Sequence, residues 1–166
     1  HPRISAQYTY IYRSLNDYEK WCFDRLYNDF YYHRHNDFWR ENALRRLPAM
    51  MQATRMLTCG EDLGMIPACV PEVMNEEHIL SLEIERMPKQ MGVAFGDTRR
   101  YPYLSVAATS THDMSTIRGW WREDRALTER YWREVLRNDG TAEEECSGPT
   151  AERIIEREML SGSIFA

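Results

Sequence analysis

Three short apolar runs lie among longer helical patterns, with a brief helical pattern between the first and the second run and a loop between the second and the third. The runs are "RMLTCGE" (residues 55–61), "HILSLEIERM" (78–87) and "YLSVAATSTHD" (103–113). In the second run Leu80, Leu82 and Ile84 alternate with polar residues, which is the period of a strand. Strands separated by helical crossovers favour a parallel sheet, so the pattern predicts an α/β fold that is rich in helix.

The first third of the chain combines one predicted strand with two predicted helices. "ISAQYTYIY" (4–12) is rich in β-branched and aromatic residues and predicts a strand or hairpin arm. Asn16 with Glu19 three residues later resembles a capping box that begins a helix. A second helix is expected over residues 36–47, with Pro48 breaking it or starting a short continuation. The first helix has an apolar stripe at every fourth position, Tyr18, Cys22, Leu26 and Phe30, and the second has inward positions Phe38, Trp39, Ala43, Leu44 and Leu47.

The remaining segments predict further helices. "PACVPEVMNE" (67–76) predicts a brief helix, and residues 114–139 predict a helical region with Leu127, Tyr131 and Val135 four positions apart. A linker rich in turn residues follows, and then a last helix in "AERIIEREML" (151–160).

Composition and charge limit the possible partners. The chain has 166 residues, 43% apolar and 28% charged, as in ordinary soluble globular proteins. Its net charge of −5 argues against a nucleic-acid partner, and no run approaches the roughly 18 apolar residues of a membrane span. The four cysteines lack CxxC spacing and are expected to be buried or free thiols, and the expected compartment is the cytoplasm. His33 and His35 point to different helix faces, so we expect no metal, and nothing indicates a cofactor.

Polar clusters end two of the three predicted strands. Gly60-Glu61-Asp62-Leu63-Gly64 follows the first, and Ser110-Thr111-His112-Asp113 follows the third. Functional groups collect at the carboxyl ends of parallel strands. Glu61 and Asp113 suit acid/base work on a glycosidic bond if partial burial keeps one carboxyl protonated while the other stays ionised. The alternative is a Glu-Asp pair that caps the next helix, together with an ordinary His-Asp turn.

These stretches resemble the 4-α-glucanotransferases of glycoside hydrolase family 77, the amylomaltases or disproportionating enzymes. "CGEDLG" resembles the general acid/base segment of that family, and "ATSTHDMSTIRGWW" resembles its transition-state-stabilising segment. The second motif is the more specific, because Thr-Ile-x-Gly-Trp follows the His-Asp pair. "LEIERMP" between them is similar to the branch that contains the larger plant-cytosolic type and its bacterial relatives.

The resemblance implies a role for each matching residue. Glu61 would be the general acid/base, Asp113 would stabilise the transition state, and His112 would bind hydroxyls of the same sugar. Asp62 would orient Glu61 or touch an acceptor sugar, and Trp120 would stack on a sugar ring or pack the base of its helix. Asp62 and the pair Glu85-Arg86 each have two alternative roles, contact with the substrate or a structural salt bridge, and the sequence favours neither.

One expected element of the family is missing from the chain. Retaining enzymes of this kind use an aspartate nucleophile in an Arg-x-Asp strand, and no such segment is present; the candidates in helical contexts are Asp17, Asp24, Asp29 and Asp37. A (β/α)₈ TIM barrel takes about 250 residues. We therefore expect residues 1–166 to be one partial catalytic domain, the C-terminal portion of a barrel with strands five to seven, inactive alone.

The implied function is transfer of α-1,4-linked glucosyl units between maltodextrins. Two alternatives are a retaining α-glucosidase or amylase-like hydrolase, and a non-enzymatic helical interaction module. Because an opened barrel exposes unpaired strand edges, self-association of the chain into homo-oligomers is also expected.

Overall fold

The computed structural model describes residues 3–162 and 164–165. The chain forms two compact units. The first contains His1–Arg55 and Met65–Val73, and the second contains Met56–Gly64 and Met74–Ala166.

Within the described residues, helices greatly outnumber strands. The helices are α1 (Tyr10–Ser14), α2 (Asp17–Asn28), α3 (His35–Gln52), α4 (Val70–Glu76), α5 (Ile117–Glu123), α6 (Arg125–Glu134) and α7 (Gly148–Met159). The strands are β1 (Ser81–Glu83), β2 (Ser105–Ala107) and β3 (Ile164–Phe165). Two 3₁₀ turns, Ala6–Tyr8 and Thr98–Arg100, and a π-helical turn, Asp29–Arg34, complete the elements. Along the described part of the chain, no helix is both long enough and apolar enough to cross a bilayer.

The predicted capping box begins α2. The Asn16 side chain accepts a hydrogen bond from the Glu19 N–H, and Glu19 accepts one from the Asn16 N–H, both at 2.9 Å. These reciprocal bonds satisfy two amide groups that a helix start leaves without partners. α3 continues through Pro48 to Gln52, which agrees with the predicted continuation.

The strand predicted over residues 4–12 is wrong, because this segment forms a 3₁₀ turn and α1. Its hydrogen bonds are made with nearby residues and with α2. The Thr9 hydroxyl caps α1 by accepting from the Tyr12 N–H at 3.3 Å, and the Tyr27 hydroxyl donates to the Ile4 carbonyl at 2.6 Å. Packing against a neighbouring helix has overridden the β propensity of the segment.

The predicted apolar stripe of α2 is not its buried face. Tyr18 is 74% exposed and Leu26 is 59% exposed, whereas Tyr27 is buried. Tyr27 lies in a row of aromatic rings, with centroids 5.9 Å from Phe23 and 4.7 Å from Tyr31. On α3, the predicted inward position Phe38 is also exposed, and Ala43 is buried. The four-residue period located the helix but not the side that packs.

The second unit is built on a parallel sheet, as the sequence predicts. The strand order is β1-β2-β3, with Leu82 beside Val106 and Val106 beside Ile164. Cys59 forms a parallel bridge to Leu80, so the predicted strand at residues 55–61 pairs only briefly, on the other side of β1. β3, in the apolar tail, was not predicted. The observed class is α/β, with a short parallel sheet and many helices.

The helical region predicted over residues 114–139 is divided at Asp124. Its carboxylate accepts from the Leu127 N–H at 3.0 Å and so begins α6. The Thr128 hydroxyl donates to the Trp121 carbonyl at 3.1 Å and joins the two helices. Their apolar sides meet α7 in one core cluster, which contains Trp120, Trp121, Tyr131, Leu136, Ala142, Cys146 and Ile154.

A cluster of buried polar side chains lies directly beyond β1. Glu85 is 2% exposed and accepts hydrogen bonds from Arg157, at 2.9 Å, and from the Tyr131 hydroxyl. The Glu85 N–H donates to Oε1 of Glu158 at 2.9 Å. Glu158 is 1% exposed, and its Oε2 has no hydrogen-bond partner among the described atoms. Burial, with a smaller contribution from the nearby Glu85 carboxylate, raises the pKa of Glu158 to about 7.

Candidate functional site

Glu61 lies two residues after Cys59, which forms a parallel bridge to Leu80, the residue before β1. The preceding residue, Gly60, is closely packed: a Cβ added there would lie 3.0 Å from Met74 Cε, the flexible end of that side chain. Gly64 has a φ of 81°, in the left-handed region that favours glycine, and it turns the chain after the acids. The Glu61 side chain is exposed and accepts from the Leu63 N–H at 2.6 Å. The partial burial that the sequence led us to expect for a proton donor is therefore absent at Glu61 in this chain.

The side chain of Asp62, unlike that of Glu61, is buried, and the residue is 4% exposed. Its Oδ1 accepts from the Leu82 N–H of β1 at 3.0 Å, and its Oδ2 lies 2.7 Å from the Lys89 ammonium. The same ammonium lies 2.7 Å from Glu83. Both carboxylate oxygens of Asp62 thus have partners in the protein, which favours structural salt bridging over contact with an acceptor sugar.

Replacing Asp62 by alanine is expected to destabilise the second unit. The change leaves the Leu82 N–H and the Lys89 ammonium with fewer partners, which costs about 1–3 kcal/mol for groups that are largely buried. Urea unfolding measures the loss, with Asp139→Ala, in an exposed loop, as the matched control. Equal unfolding midpoints for the two variants would contradict a structural role.

His112 and Asp113 lie in the loop that follows β2. The loop leaves the sheet at Ala108, whose N–H donates to the Glu83 carbonyl at 3.0 Å. His112 Nε2 and Asp113 Oδ2 are 3.2 Å apart, and the two side chains are 90% and 81% exposed. The Asp113 N–H donates to the Thr111 hydroxyl at 3.2 Å. Both site candidates are therefore open to a ligand.

Trp120 lies in the core rather than on the surface. It is 7% exposed, and its ring centroid is 5.2 Å from that of Tyr131 and 6.1 Å from that of Trp121. The Arg86 guanidinium lies 5.4 Å from the centroid of the Trp120 ring. These contacts cover the indole and favour the packing role over stacking on a sugar.

Glu85 and Arg86 do not act as a pair. Glu85 is bound by Arg157 and Tyr131, whereas Arg86 donates from Nε to the Thr109 carbonyl at 2.9 Å and from Nη2 to the Ser115 carbonyl. Burial lowers the pKa of the Arg86 guanidinium, which is partly buried. These contacts link residues far apart in the chain.

Sequence reasoning did not single out Lys89, Glu158 or the carbonyl contacts of Arg86. Local patterns carry no signal for the contacts of Lys89 with Asp62, of Glu158 with Glu85 and of Arg86 with Thr109, because the two residues of each pair lie more than twenty positions apart. No set of three His, Cys, Asp or Glu side chains suited to hold a metal ion is found in the part of the chain that the structure describes.

The comparisons with known proteins agree with the motifs. The model of glycoside hydrolase family 77, described as 4-alpha-glucanotransferase, matches residues 11–166. The 4-alpha-glucanotransferase DPE2 of Oryza sativa subsp. japonica is 38% identical over 166 residues, all of this chain and 18% of the rice protein. The 4-alpha-glucanotransferase of Chlamydia trachomatis serovar D is 34% identical over 79 residues, 46% of this chain and 15% of the bacterial protein. The enzyme of Chlamydia caviae is 37% identical over 78 residues, with the same shares.

The chain therefore spans less than a fifth of the length of these relatives. The family match covers nearly every residue, including both stretches that carry Glu61 and Asp113. The chain belongs to the 4-alpha-glucanotransferase family.

Proposed function

We propose that these residues form part of the catalytic domain of a 4-α-glucanotransferase that transfers α-1,4-linked glucosyl units between maltodextrins. The observation that carries the proposal is the position of the acids in the parallel sheet. Glu61 follows Cys59, which bridges in parallel to Leu80 directly before β1, and His112 and Asp113 follow β2, which pairs in parallel with β1. Because these pairings are parallel, they support a common position for the three residues beyond the carboxyl ends of the strands.

The spacing of the strands supports a shared substrate. Neighbouring strands lie about 4.8 Å apart, so two strands that flank a third are separated by about 9–10 Å. Side chains of glutamate and aspartate that start at such positions can approach one pyranose ring from two sides. The exposure of Glu61, His112 and Asp113 leaves them accessible to that ring.

The proposed chemistry uses these residues in two steps. In the first step, a carboxylate nucleophile attacks the anomeric carbon, the glycosidic bond breaks, and Glu61 gives its proton to the leaving oxygen. Asp113 stabilises the positive charge that develops on the sugar, and His112 binds its hydroxyls. In the second step an acceptor hydroxyl gives its proton to Glu61 and attacks the anomeric carbon, and the bond to the nucleophile breaks.

We infer that the nucleophile lies outside these 166 residues. The chain is then the C-terminal portion of a (β/α)₈ barrel, in which β1, β2 and the strand position at Cys59 are barrel strands. Barrel enzymes place their catalytic residues at the carboxyl ends of several strands, as this arrangement requires. We also infer a cytoplasmic location, because all four cysteines are free thiols.

The isolated chain is expected to show no turnover of maltotriose, whereas the full-length protein should produce glucose together with longer maltodextrins. The isolated chain should also self-associate through its exposed edges. Chromatography of the products and sedimentation velocity measure the two results. Glucose with maltose and no longer products from the full-length protein would indicate a hydrolase instead. Turnover by the isolated chain would contradict the placement of the nucleophile.

A further inference from the structure

Arg86 joins the end of β1 to both ends of the loop that carries His112 and Asp113. Its Nε donates to the Thr109 carbonyl at 2.9 Å, and its Nη2 donates to the Ser115 carbonyl. The hydrogen bonds within the loop are local, from the Asp113 N–H to the Thr111 hydroxyl and from the Met114 N–H to the Thr111 carbonyl. Arg86 therefore limits the distance between the two ends of the loop.

The guanidinium of Arg86 is itself held in place. It lies 5.4 Å from the centroid of the Trp120 ring, and Trp120 is buried in the core cluster. Because a guanidinium is planar and offers several donors in fixed directions, it can bind two carbonyls and stack on an indole at once. A lysine ammonium on a flexible stem cannot reproduce this arrangement.

The start of α5 completes the support of the loop. The Thr116 hydroxyl accepts from the Gly119 N–H at 3.2 Å and caps α5 directly after Ser115. A Cβ added at Gly119 would lie 3.3 Å from Ser115 Cβ, so the helix start and the end of the loop are closely packed. Arg86 thus connects β1 to a rigid helix start, and the exposed pair His112-Asp113 lies between its two anchor points.

We propose that Arg86 is a positioning residue of the transfer reaction: it holds the His112-Asp113 loop so that Asp113 faces the developing charge on the sugar. This inference rests on the proposed function. Arg86 acts through Asp113 and does not itself bind substrate, since its hydrogen bonds go to backbone carbonyls and its guanidinium lies over the indole of Trp120.

The test is a double-mutant cycle in the full-length protein, with Arg86→Gln and Asp113→Asn alone and combined. Misplacement of a catalytic group by about 1 Å can cost about 100-fold in rate, so Arg86→Gln should lower kcat about 10- to 100-fold with KM nearly unchanged. In the Asp113→Asn background, Arg86→Gln should lower kcat less than about threefold, because the function that Arg86 supports has already been removed with Asp113.

Two further variants separate positioning from folding. Arg86→Lys keeps the charge and one donor group, and its kcat should lie between those of the native protein and Arg86→Gln. Arg118→Gln removes an exposed arginine from α5 and should leave kcat unchanged. In the 166-residue chain, Arg86→Gln but not Arg118→Gln should speed hydrogen exchange of the amides of residues 110–115.

The outcomes are distinguishable. Full activity of Asp113→Asn would overturn the proposed function, and the inference with it. Two results would overturn only the positioning role, each together with a large loss of kcat in Asp113→Asn. In the first, Arg86→Gln lowers kcat equally in the native and the Asp113→Asn backgrounds. In the second, Arg86→Gln raises KM and leaves kcat unchanged. If Arg86→Gln does not fold, Arg86→Lys provides the test instead. Its kcat must fall below that of the native protein for the inference to stand.

Discussion

Replacing Glu61 by glutamine in the full-length protein is expected to lower kcat for glucosyl transfer about 1,000-fold, within the range that general acid–base catalysis contributes. Glutamine has nearly the shape of glutamate but cannot give a proton to the leaving oxygen. Because Glu61 is exposed and its structural contact is a hydrogen bond to the adjacent turn, the fold should persist. Product chromatography with maltotriose measures the rate, and urea unfolding measures the stability.

The choice of substrate separates the acid role from a general defect. α-Glucosyl fluoride carries a leaving group that needs little help from a proton donor, so formation of the glycosyl-enzyme from it should be far less affected than with maltotriose. Glu144→Gln, in the exposed acidic loop, is the matched control and should change neither rate. An unaltered rate for Glu61→Gln with maltotriose would remove Glu61 from the reaction. Absence of any turnover by the native full-length protein would favour the non-enzymatic interaction module.

The stability of the second unit is expected to fall as the pH rises from about 4.5 to 7, through the carboxyl group of Glu158. Its pKa is raised to about 7 in the folded protein by burial, whereas in the unfolded chain it is about 4.3. The folded state therefore binds a proton that the unfolded state has already released. This contribution is complete below the unfolded pKa and is lost as the pH rises through the folded one.

The expected size of the Glu158 effect is roughly 3 kcal/mol, since each pKa unit corresponds to about 1.4 kcal/mol. An acid whose pKa is lowered in the folded protein, such as Asp97 hydrogen-bonded to Arg99, has a slope of the opposite sign. The informative quantity is therefore the difference between the native chain and Glu158→Gln. That difference should change by roughly this amount between pH 4.5 and 8 when urea unfolding is followed by tryptophan fluorescence. Glu156→Gln, exposed on the same helix, should give a constant difference. If the free energies of unfolding of Glu158→Gln and the native chain change in parallel with pH, the raised pKa of Glu158 is refuted.

Local signals were sufficient where the residues interact with near neighbours. The capping box of Asn16 and Glu19 could be read from their spacing, because both hydrogen bonds close within one helical turn. The strands β1 and β2 could be read from alternation and β-branched composition, and their parallel pairing followed from the helical patterns around them. The same patterns placed Glu61 and Asp113 after strands of one sheet.

Local signals failed where packing decided. Residues 4–12 have the composition of a strand, yet the hydroxyl of Tyr27 and the cap at Thr9 stabilise a helical turn there. The division at Asp124 depends on a capping carboxylate within a continuous helical pattern. The face of α2 that is buried is set by the aromatic row around Tyr27, which a four-residue period does not reveal.

The sequence by itself determined the family, the parallel α/β class and the positions of Glu61 and Asp113 after predicted strands, since these depend on motifs and on periods within a few residues. Only the tertiary structure decided that Asp62 is bound by Lys89, that Trp120 is covered by Arg86 and Tyr131, and that Glu85 and Glu158 are buried together. These contacts join residues that are 27 to 73 positions apart or lie on different elements. Such contacts form only when the sheet and helices bring distant segments together, and no local pattern encodes that approach.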